Sequence, residues 1–186
     1  MLRFAVADVR TLALPAASYD AILAEGALHH IAPLEPAVAA LAPLLLPGGR
    51  LVLRDFVGPS RFQWTDRQVA ATDALLRALP EHLRTRWGSG RVKTRVLRPG
   101  TLAMRAMDPS EAAESDRILP VLDRHFALVE CKDLGGSVLH LLLDDLAFHF
   151  QEDEGAAWLA ALFEAEDALL ADGLPSDFVY AVYAPR

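Results

Sequence analysis

The stretch that decides the fold runs from Tyr19 to Asp55 and reads YDAILAEGALHHIAPLEPAVAALAPLLLPGGRLVLRD. Residues 20–24 are apolar on both faces, as strands in parallel sheets usually are. Leucine and valine recur at helical spacing over residues 34–46. Pro-Gly-Gly then ends the predicted helix, because glycine takes the left-handed cap and proline cannot continue the helix. Residues 50–56 are the next predicted strand. The order strand, helix, strand predicts a right-handed parallel crossover.

Apolar patterns extend this unit along the rest of the chain. Short apolar runs predict strands at residues 4–7, 126–132 and 177–184. Helical periodicity predicts helices at residues 66–79, 110–124, 137–150 and 154–172. Thr65 is the expected cap of the first of these helices, and Pro109 opens the second. The pattern is α/β, and no internal repeat or low-complexity linker interrupts it, so we interpret residues 1–186 as a single domain.

The composition is that of an ordinary globular protein, with 53% hydrophobic and 23% charged residues. A net charge of −7 argues against nucleic acid and anionic membranes as partners, because like charges repel. The single cysteine, Cys131, excludes an internal disulfide and fits a reducing cytoplasm. No apolar run reaches the ~18 residues of a membrane span, and the N-terminus does not read as a signal peptide. The expected location is therefore the cytoplasm.

Four segments carry a family resemblance when they are read in order. They are FAVADVRTLALPAASYD at residues 4–20, YDAILAEGALHHI at 19–31, LLLPGGRLVLRDF at 44–56 and DFVYAVYAPR at 177–186. Together they resemble the class I S-adenosylmethionine-dependent methyltransferases, from the third core strand of that family onward. The resemblance implies a truncated Rossmann-like sheet, mostly parallel, with an antiparallel C-terminal strand and a helical insert.

The resemblance also implies how the chain is divided. Residues 1–57 and 126–186 would form a partial methyltransferase core. Residues 58–125 would form a cap or substrate region, which is the part that varies within the family.

S-adenosylmethionine is the cofactor that the resemblance implies. Ligands of open parallel sheets bind beyond the carboxyl ends of the strands, and Asp8 follows the first predicted strand. The resemblance places Asp8 and the N–H group of Val9 against the adenine. It places Ala24, Glu25 and Gly26 beside the methionine part of the cofactor. Without the resemblance, Asp8 also reads as a turn cap, Glu25 as a solvated side chain and Gly26 as a plain turn glycine.

The pair His29 and His30 is the most chemically suggestive feature of the sequence. An imidazole near the transferred methyl group can accept a proton from a hydroxyl or amine acceptor, since its pKa lies near neutral. Adjacent side chains point in different directions, so at most one of the two is expected to face the site. The alternative is packing or capping at a helix start. We predict no metal site, because the six histidines are scattered and show no ligand spacing.

The loop after residues 50–56 is dense in hydrogen-bonding and aromatic groups. Arg61, Gln63 and Trp64 are expected to recognise the methyl acceptor, because binding residues concentrate in loops at strand ends. The alternative is a helix cap on which Trp64 packs as a lid.

The family's glycine-rich Gly-x-Gly loop, and the acidic strand end that binds the ribose, have no counterpart in residues 1–186. We therefore expect an N-terminally truncated form that binds the cofactor weakly or not at all alone. Its exposed sheet edge would be covered by a second copy or a partner chain. The predicted function is methyl transfer to a small-molecule acceptor, and the alternative is a non-catalytic interaction or oligomerisation module. A dinucleotide oxidoreductase is disfavoured, because it needs a glycine fingerprint.

Overall fold

The described part of the chain is centred on a four-stranded sheet. The computed structural model describes residues 5–11, 13–151 and 153–186. The strands are β1 (Tyr19–Glu25), β2 (Leu45–Phe56), β3 (Phe126–Gly135) and β4 (Phe178–Pro185), in the order β1-β2-β4-β3. β1 pairs with β2 in parallel, and β4 runs antiparallel to both β2 and β3. Three strands therefore share one direction, which confirms the α/β class and the antiparallel C-terminal strand.

Within the described residues, six α-helices connect and cover the strands. They are α1 (Leu34–Leu41), α2 (Asp66–Ala78), α3 (Thr101–Met107), α4 (Ile118–His125), α5 (Leu139–Leu143) and α6 (Asp153–Ala171). Single 3₁₀ turns lie at Leu28–His30, Ala42–Leu44, Ser60–Phe62, Glu81–Arg84, Ser115–Arg117 and Ala147–Phe150. The predicted crossover is present as β1, α1 and β2, and Thr65 caps α2 with a complete capping box.

Two predictions near the N-terminus are wrong. Residues 5–7 of the predicted strand join no sheet, and Val6 is fully exposed; residue 4 lies outside the described residues. A strand gains its stability from hydrogen bonds to a neighbour, and this short run pairs with none of the described strands. The helix predicted over residues 34–46 ends at Leu41, because Pro43 interrupts the helical hydrogen bonds and the chain passes into a 3₁₀ turn.

Two helices predicted in the second half of the chain are shorter than expected. The helix predicted from residue 110 begins only at Ile118, because the Asp108 carboxylate binds the N–H groups of Ser110 and Glu111 and holds a turn there. The helix predicted over 137–150 covers only Leu139–Leu143, because Asp144 is not helical and Asp145 has a φ of +61° in the left-handed region. The sequence analysis also missed α3.

The core is divided between the two sides of the molecule. On one face of the sheet, Leu34 of α1 and Ile118 of α4 belong to the same buried cluster as Leu51 of β2 and Tyr183 of β4. A second cluster joins α2, α5 and α6, and Leu76, Leu142 and Leu162 belong to it. This second cluster supports the segment that follows β2.

One edge of the sheet is open within the described part of the chain. β1 pairs there on one side only, with β2, and its Leu23 side chain is 75% exposed. The expected exposed edge is therefore present, whereas a partner that covers it stays a prediction. Among the described residues, no helix has the length and apolar character needed to cross a membrane.

The buried carboxyl group of Asp177 ties the start of α2 to β4. Gln68 Nε2 donates to both of its oxygens at 2.9 and 3.0 Å, and the main-chain oxygen of Asp177 accepts the N–H group of Val57 at 2.7 Å. Burial raises the pKa of Asp177 to about 7, although the bond from Gln68 opposes the rise. The folded protein therefore favours the protonated carboxyl group.

This carboxyl group predicts a pH-dependent loss of stability. Below pH about 4 the group is protonated in both the folded and the unfolded chain, so its contribution is fully present. The unfolded chain ionises first as the pH rises, so stability falls until the pH passes about 7. We expect wild type to lose roughly 2 kcal/mol more than Asp177→Asn between pH 5 and pH 8, measured by urea unfolding. The exposed control Asp133→Asn should behave like wild type. Equal slopes in wild type and Asp177→Asn would contradict this account.

Candidate active site at the carboxyl ends of β1 and β2

The carboxylate of Asp55 organises the loop that follows β1. Asp55 lies near the carboxyl end of β2, and it is only 2% exposed. It accepts the N–H groups of Ala27 at 3.1 Å and Leu28 at 2.7 Å, and it also bonds His29 Nδ1. A buried charge requires such partners, so the carboxylate fixes both the turn and the imidazole ring.

One ring nitrogen of His29 points toward the buried Asp55, and the other faces the turn that carries Glu111. Its Nδ1 bonds Asp55, and its Nε2 lies 3.8 Å from Glu111 Oε1. The hydrogen bond to Asp55 raises the pKa of His29 above its usual value, desolvation by burial opposes the rise, and the charges of Asp55 and Glu111 add to it. The side chain is 14% exposed, so the ring is accessible from one side only.

His30 faces the same carboxylate as His29. Its Nε2 lies 3.7 Å from Glu111 Oε2, and the two imidazole centroids are 4.0 Å apart. Both imidazole rings therefore face Glu111, whereas the expectation that at most one of them faces the transferred methyl group stays a prediction. Both rings reach the same carboxylate because Leu28–His30 form a 3₁₀ turn, in which neighbouring side chains diverge less than on an extended strand.

Arg61 positions the turn that carries Glu111. Its guanidinium donates to the main-chain oxygens of Asp108, Pro109 and Glu111 at 3.3, 2.7 and 2.9 Å. Its own N–H group donates to the oxygen of Ala112 at 2.7 Å. Arg61 was predicted to contact the acceptor, but the structure uses its guanidinium to brace the protein's own backbone.

The side chains of Gln63 and Trp64 are also engaged within the protein rather than exposed on a free loop. Gln63 Nε2 donates to the main-chain oxygens of Arg61 and Pro99 at 2.8 and 2.9 Å. Trp64 is buried and lines a cavity of about 330 Å³, whose wall includes Phe62, His140 and Lys93. Trp64 thus remains beside a ligand-sized space, whereas Gln63 stabilises the loop.

A wall of aromatic rings connects His29 with this cavity. The His29 ring lies 6.4 Å from Phe56, and Phe56 lies 5.2 Å from Phe62 in edge-to-face contact. Phe62 stacks on Trp64 at 5.5 Å, and His140 lies 5.8 Å from Phe62. Burial lowers the pKa of His140, so this ring favours its neutral form in the wall.

A cleft of about 500 Å³ lies on the other side of the histidine pair. Asp8, Val9, His30, Ile31 and Ser110 are among its lining residues. The structure therefore brings together the residues predicted for the adenine and one of the predicted catalytic histidines. The Asp8 carboxylate is bonded by the Arg10 guanidinium at 2.7 Å, and Arg10 lowers the pKa of Asp8 to about 2.

The three residues predicted beside the methionine part end β1. Ala24 is buried, and the Glu25 carboxylate pairs with the Arg54 guanidinium at 2.5 Å. Gly26 has a φ of +53°, a left-handed conformation that favours glycine, and a Cβ added there would meet no atom within 4 Å. Gly26 N–H donates to the oxygen of Arg54 at 2.8 Å, which continues the pairing of β1 and β2 into the loop.

Sequence reasoning missed three residues of this site, namely Asp55, Ser110 and Glu111. Asp55 had a local signal, since it stands at the end of a predicted strand, where functional groups concentrate. Ser110 and Glu111 had none, because they follow the histidines by about 80 residues and reach them only through the fold.

Comparison with known proteins finds similarity in the N-terminal part of the chain. Residues 1–53 match the family model described as a methyltransferase domain. Uncharacterized methyltransferases of Mycobacterium tuberculosis and Mycobacterium bovis are each 42% identical over 59 residues, which is 32% of this chain and 30% of each relative. The chain thus spans about a third of the length of these relatives. The matches confirm the resemblance to methyltransferases that the sequence shows, and they lie in the N-terminal segment of the chain.

Solved structures of low identity resemble the chain over nearly its whole length. One is an S-adenosylmethionine-dependent methyltransferase from Mesorhizobium loti, with 17% identity, a TM-score of 0.47, and coverage of 97% of this chain and 68% of that chain. Another is a phosphoethanolamine N-methyltransferase of Haemonchus contortus in complex with S-adenosylmethionine. It shows 12% identity, a TM-score of 0.47, and coverage of 96% of this chain and 36% of that chain.

The role of Asp55 predicts a large stability effect from a small change. Asp55→Asn replaces an acceptor of several hydrogen bonds by an amide that can accept at one atom only. We expect a loss of about 3 kcal/mol in the free energy of unfolding, measured by urea denaturation, because a buried N–H group is left without a partner. The same exposed control, Asp133→Asn, should change stability little. A loss in Asp55→Asn no larger than in that control would remove Asp55 from this role.

Proposed function

We propose that this chain takes part in S-adenosylmethionine-dependent methyl transfer to a small-molecule acceptor. The observation that carries the proposal is the cleft in which Asp8 and Val9 lie beside His30, within and next to the segment that matches the methyltransferase family. The cleft lies at the carboxyl end of a parallel strand pair, where open α/β sheets bind their ligands.

In this proposal the cofactor lies along the loops that end at Asp8 and Gly26. The N–H group of Val9 and the carboxylate of Asp8 contact the adenine, and Arg10 releases part of its hold on Asp8 when the ligand enters. Ala24, Glu25 and Gly26 lie beside the methionine part. The left-handed backbone of Gly26 supports this, since a residue without a Cβ allows close approach of a ligand.

The acceptor is proposed to approach from the aromatic side. The cavity at Trp64 and the ring wall through Phe62 and Phe56 lead toward His29, and such a surface suits an acceptor with a flat or apolar body. His29 and His30 stay the proposed catalytic residues. Arg61 and Gln63 are proposed to position the loop, because their side-chain donors already bond main-chain oxygens.

The first test is an NMR titration of the full ¹⁵N-labelled chain with S-adenosylhomocysteine. We expect weak, saturable shifts at the amides of Val9, Gly26 and His30. Asp8→Asn should weaken binding by about tenfold, the value of one hydrogen bond to a charged group. The control Asp133→Asn exchanges the same groups at an exposed site of β3 and should bind like wild type.

Two outcomes would contradict the proposal. A folded chain that shows no saturable shifts does not bind the cofactor product. Shifts confined to residues outside the loops at Asp8 and Gly26 would place the ligand elsewhere. In the first case the non-catalytic interaction module becomes the better account, and the molar mass in solution would then show whether a second copy covers the open edge of β1.

A further inference from the structure

We propose that His29, His30 and Glu111 form a binding site for a divalent transition-metal ion of the zinc type. Each residue offers one ligand atom, and these atoms all lie within 4.8 Å of one another. The His29 Nε2 to Glu111 Oε1 distance is 3.8 Å, and the His30 Nε2 to Glu111 Oε2 distance is 3.7 Å. Ligand atoms around a tetrahedral zinc ion lie about 3.3 Å apart, given bonds of about 2.0–2.1 Å. The two histidine–glutamate distances exceed this value by about half an ångström, and the widest pair of ligand atoms exceeds it by at most about 1.5 Å, so small rotations of the side chains would bring the three groups onto one ion.

The ring of His29 is held in the orientation that a metal ligand needs. Its Nδ1 bonds the buried carboxylate of Asp55, which leaves Nε2 directed toward Glu111. Histidines that bind metal through one nitrogen usually donate the other N–H group to a carboxylate, which fixes the tautomer and strengthens the ligand. Asp55 supplies this bond without being a ligand itself.

The ring of His30 has an equivalent arrangement through a different pair of residues. Its Nδ1 lies 3.3 Å from Ser110 Oγ, and that hydroxyl donates to Asp108 Oδ1 at 2.7 Å. The hydroxyl proton is thus directed at Asp108, so Ser110 Oγ accepts from the Nδ1–H group of His30. The Nε2 atom of His30 is again left facing Glu111. Both histidines therefore present the nitrogen that can bind a metal.

The backbone locks the two halves of the cluster together although they are distant in sequence. The N–H group of Ala113 donates to the oxygen of His29 at 3.2 Å. The Arg61 guanidinium donates hydrogen bonds to the main-chain oxygens of Pro109 and Glu111, and these bonds hold the turn that carries the Glu111 side chain. A site held in this way is preorganised, so little ordering is left for the ion to impose.

The ligand set selects the kind of ion. Two imidazoles and one carboxylate suit zinc and other first-row transition metals, whereas magnesium and calcium prefer oxygen ligands only. Three protein ligands leave at least one position open, as in catalytic rather than structural zinc sites. The cleft lined by His30 and Ser110 borders the cluster on one side, and the aromatic wall through Phe56 reaches His29 on the other.

As metal ligands, His29 and His30 would act on the acceptor through the ion, which gives a specific form to the catalytic role proposed for them above. The meaning of the metal site for methyl transfer rests on the proposed function. There, a cation beside the acceptor binds an acceptor oxygen and lowers the pKa of its hydroxyl group. The inference thus favours an acceptor that carries a hydroxyl or carboxylate oxygen. Metal binding itself does not depend on the cofactor.

Calorimetric titration of the chelator-treated full chain with Zn²⁺ tests the site without any cofactor. We expect saturable binding of one equivalent. Glu111→Gln keeps the shape of the side chain but removes its charge, and His30→Ala removes a ligand on the exposed side of the cluster. Each should weaken binding at least about 100-fold, more than the loss of a supporting residue. His82→Ala is the matched control, because His82 forms an exposed pair with Glu154 at 3.2 Å outside the cluster.

Ser110→Ala tests the positioning of His30. The variant removes the hydroxyl that receives the His30 Nδ1–H group and leaves all three ligands in place. We expect Zn²⁺ affinity to fall about tenfold, the usual effect of losing such a support. The ¹H–¹⁵N spectrum should otherwise stay that of the folded wild type, and Ser110→Thr, which restores a hydroxyl, should recover most of the affinity.

Several outcomes would overturn the metal site. These are no binding by wild type, equal binding by Glu111→Gln and wild type, or a loss that appears in His82→Ala instead. The proposed function fails separately, in the titration with S-adenosylhomocysteine, which is done without metal. Zn²⁺ binding by a chain that ignores S-adenosylhomocysteine would keep the metal site and remove its link to methyl transfer.

Discussion

The site depends on one buried negative charge, the carboxylate of Asp55. Its side chain is fully enclosed at the end of β2, where an unpaired carboxylate would be very costly. The partners that remove this cost are the N–H groups of Ala27 and Leu28 in the loop after β1, the N–H group of Phe56 and the ring of His29. The demand for partners thus sets the course of the loop after β1. It also sets the tautomer of His29, so a stability requirement of the sheet becomes the geometry of the site.

The fold could be predicted from the sequence where the determining forces are local. The unit β1, α1 and β2 follows from apolar runs and helical spacing, and the capping box at Thr65 also lies within a few residues. The Pro-Gly-Gly stretch was wrongly predicted to end the helix, since residues 47–49 lie within β2. The predictions fail where contacts between residues far apart in the sequence determine the local structure. The turn before α4 is held by the Asp108 side chain and by Arg61, some 47 residues earlier in the chain, and no periodicity reveals that contact.

The candidate site divides in the same way. The sequence alone singles out His29 and His30, because they are adjacent, and also the loop residues around Arg61, because polar and aromatic groups are dense there. The residues that contact them were not predictable, because Glu111 and Ser110 lie about 80 residues later in the sequence and reach the histidines only in the folded chain. The density of polar groups at Arg61 and Gln63 reads from sequence as a binding loop. In the folded protein these donors bond main-chain oxygens, and a sequence cannot distinguish a donor that awaits a ligand from one that braces a turn.

The residues of the site come from two parts of the chain, and these parts differ in how strongly the stability of the fold constrains them. Asp55 and His29 belong to the crossover that defines the fold, and the cost of an unpaired Asp55 constrains both. Glu111 and Ser110 sit on a turn of the insert, whose main-chain bonds run to Arg61 and His29. Exchanging Glu111 leaves the buried charge of Asp55 paired, because no bond of Asp55 involves the insert. The ligand chemistry of the cluster can therefore change through the insert, while the loop that presents the histidines stays fixed by the sheet.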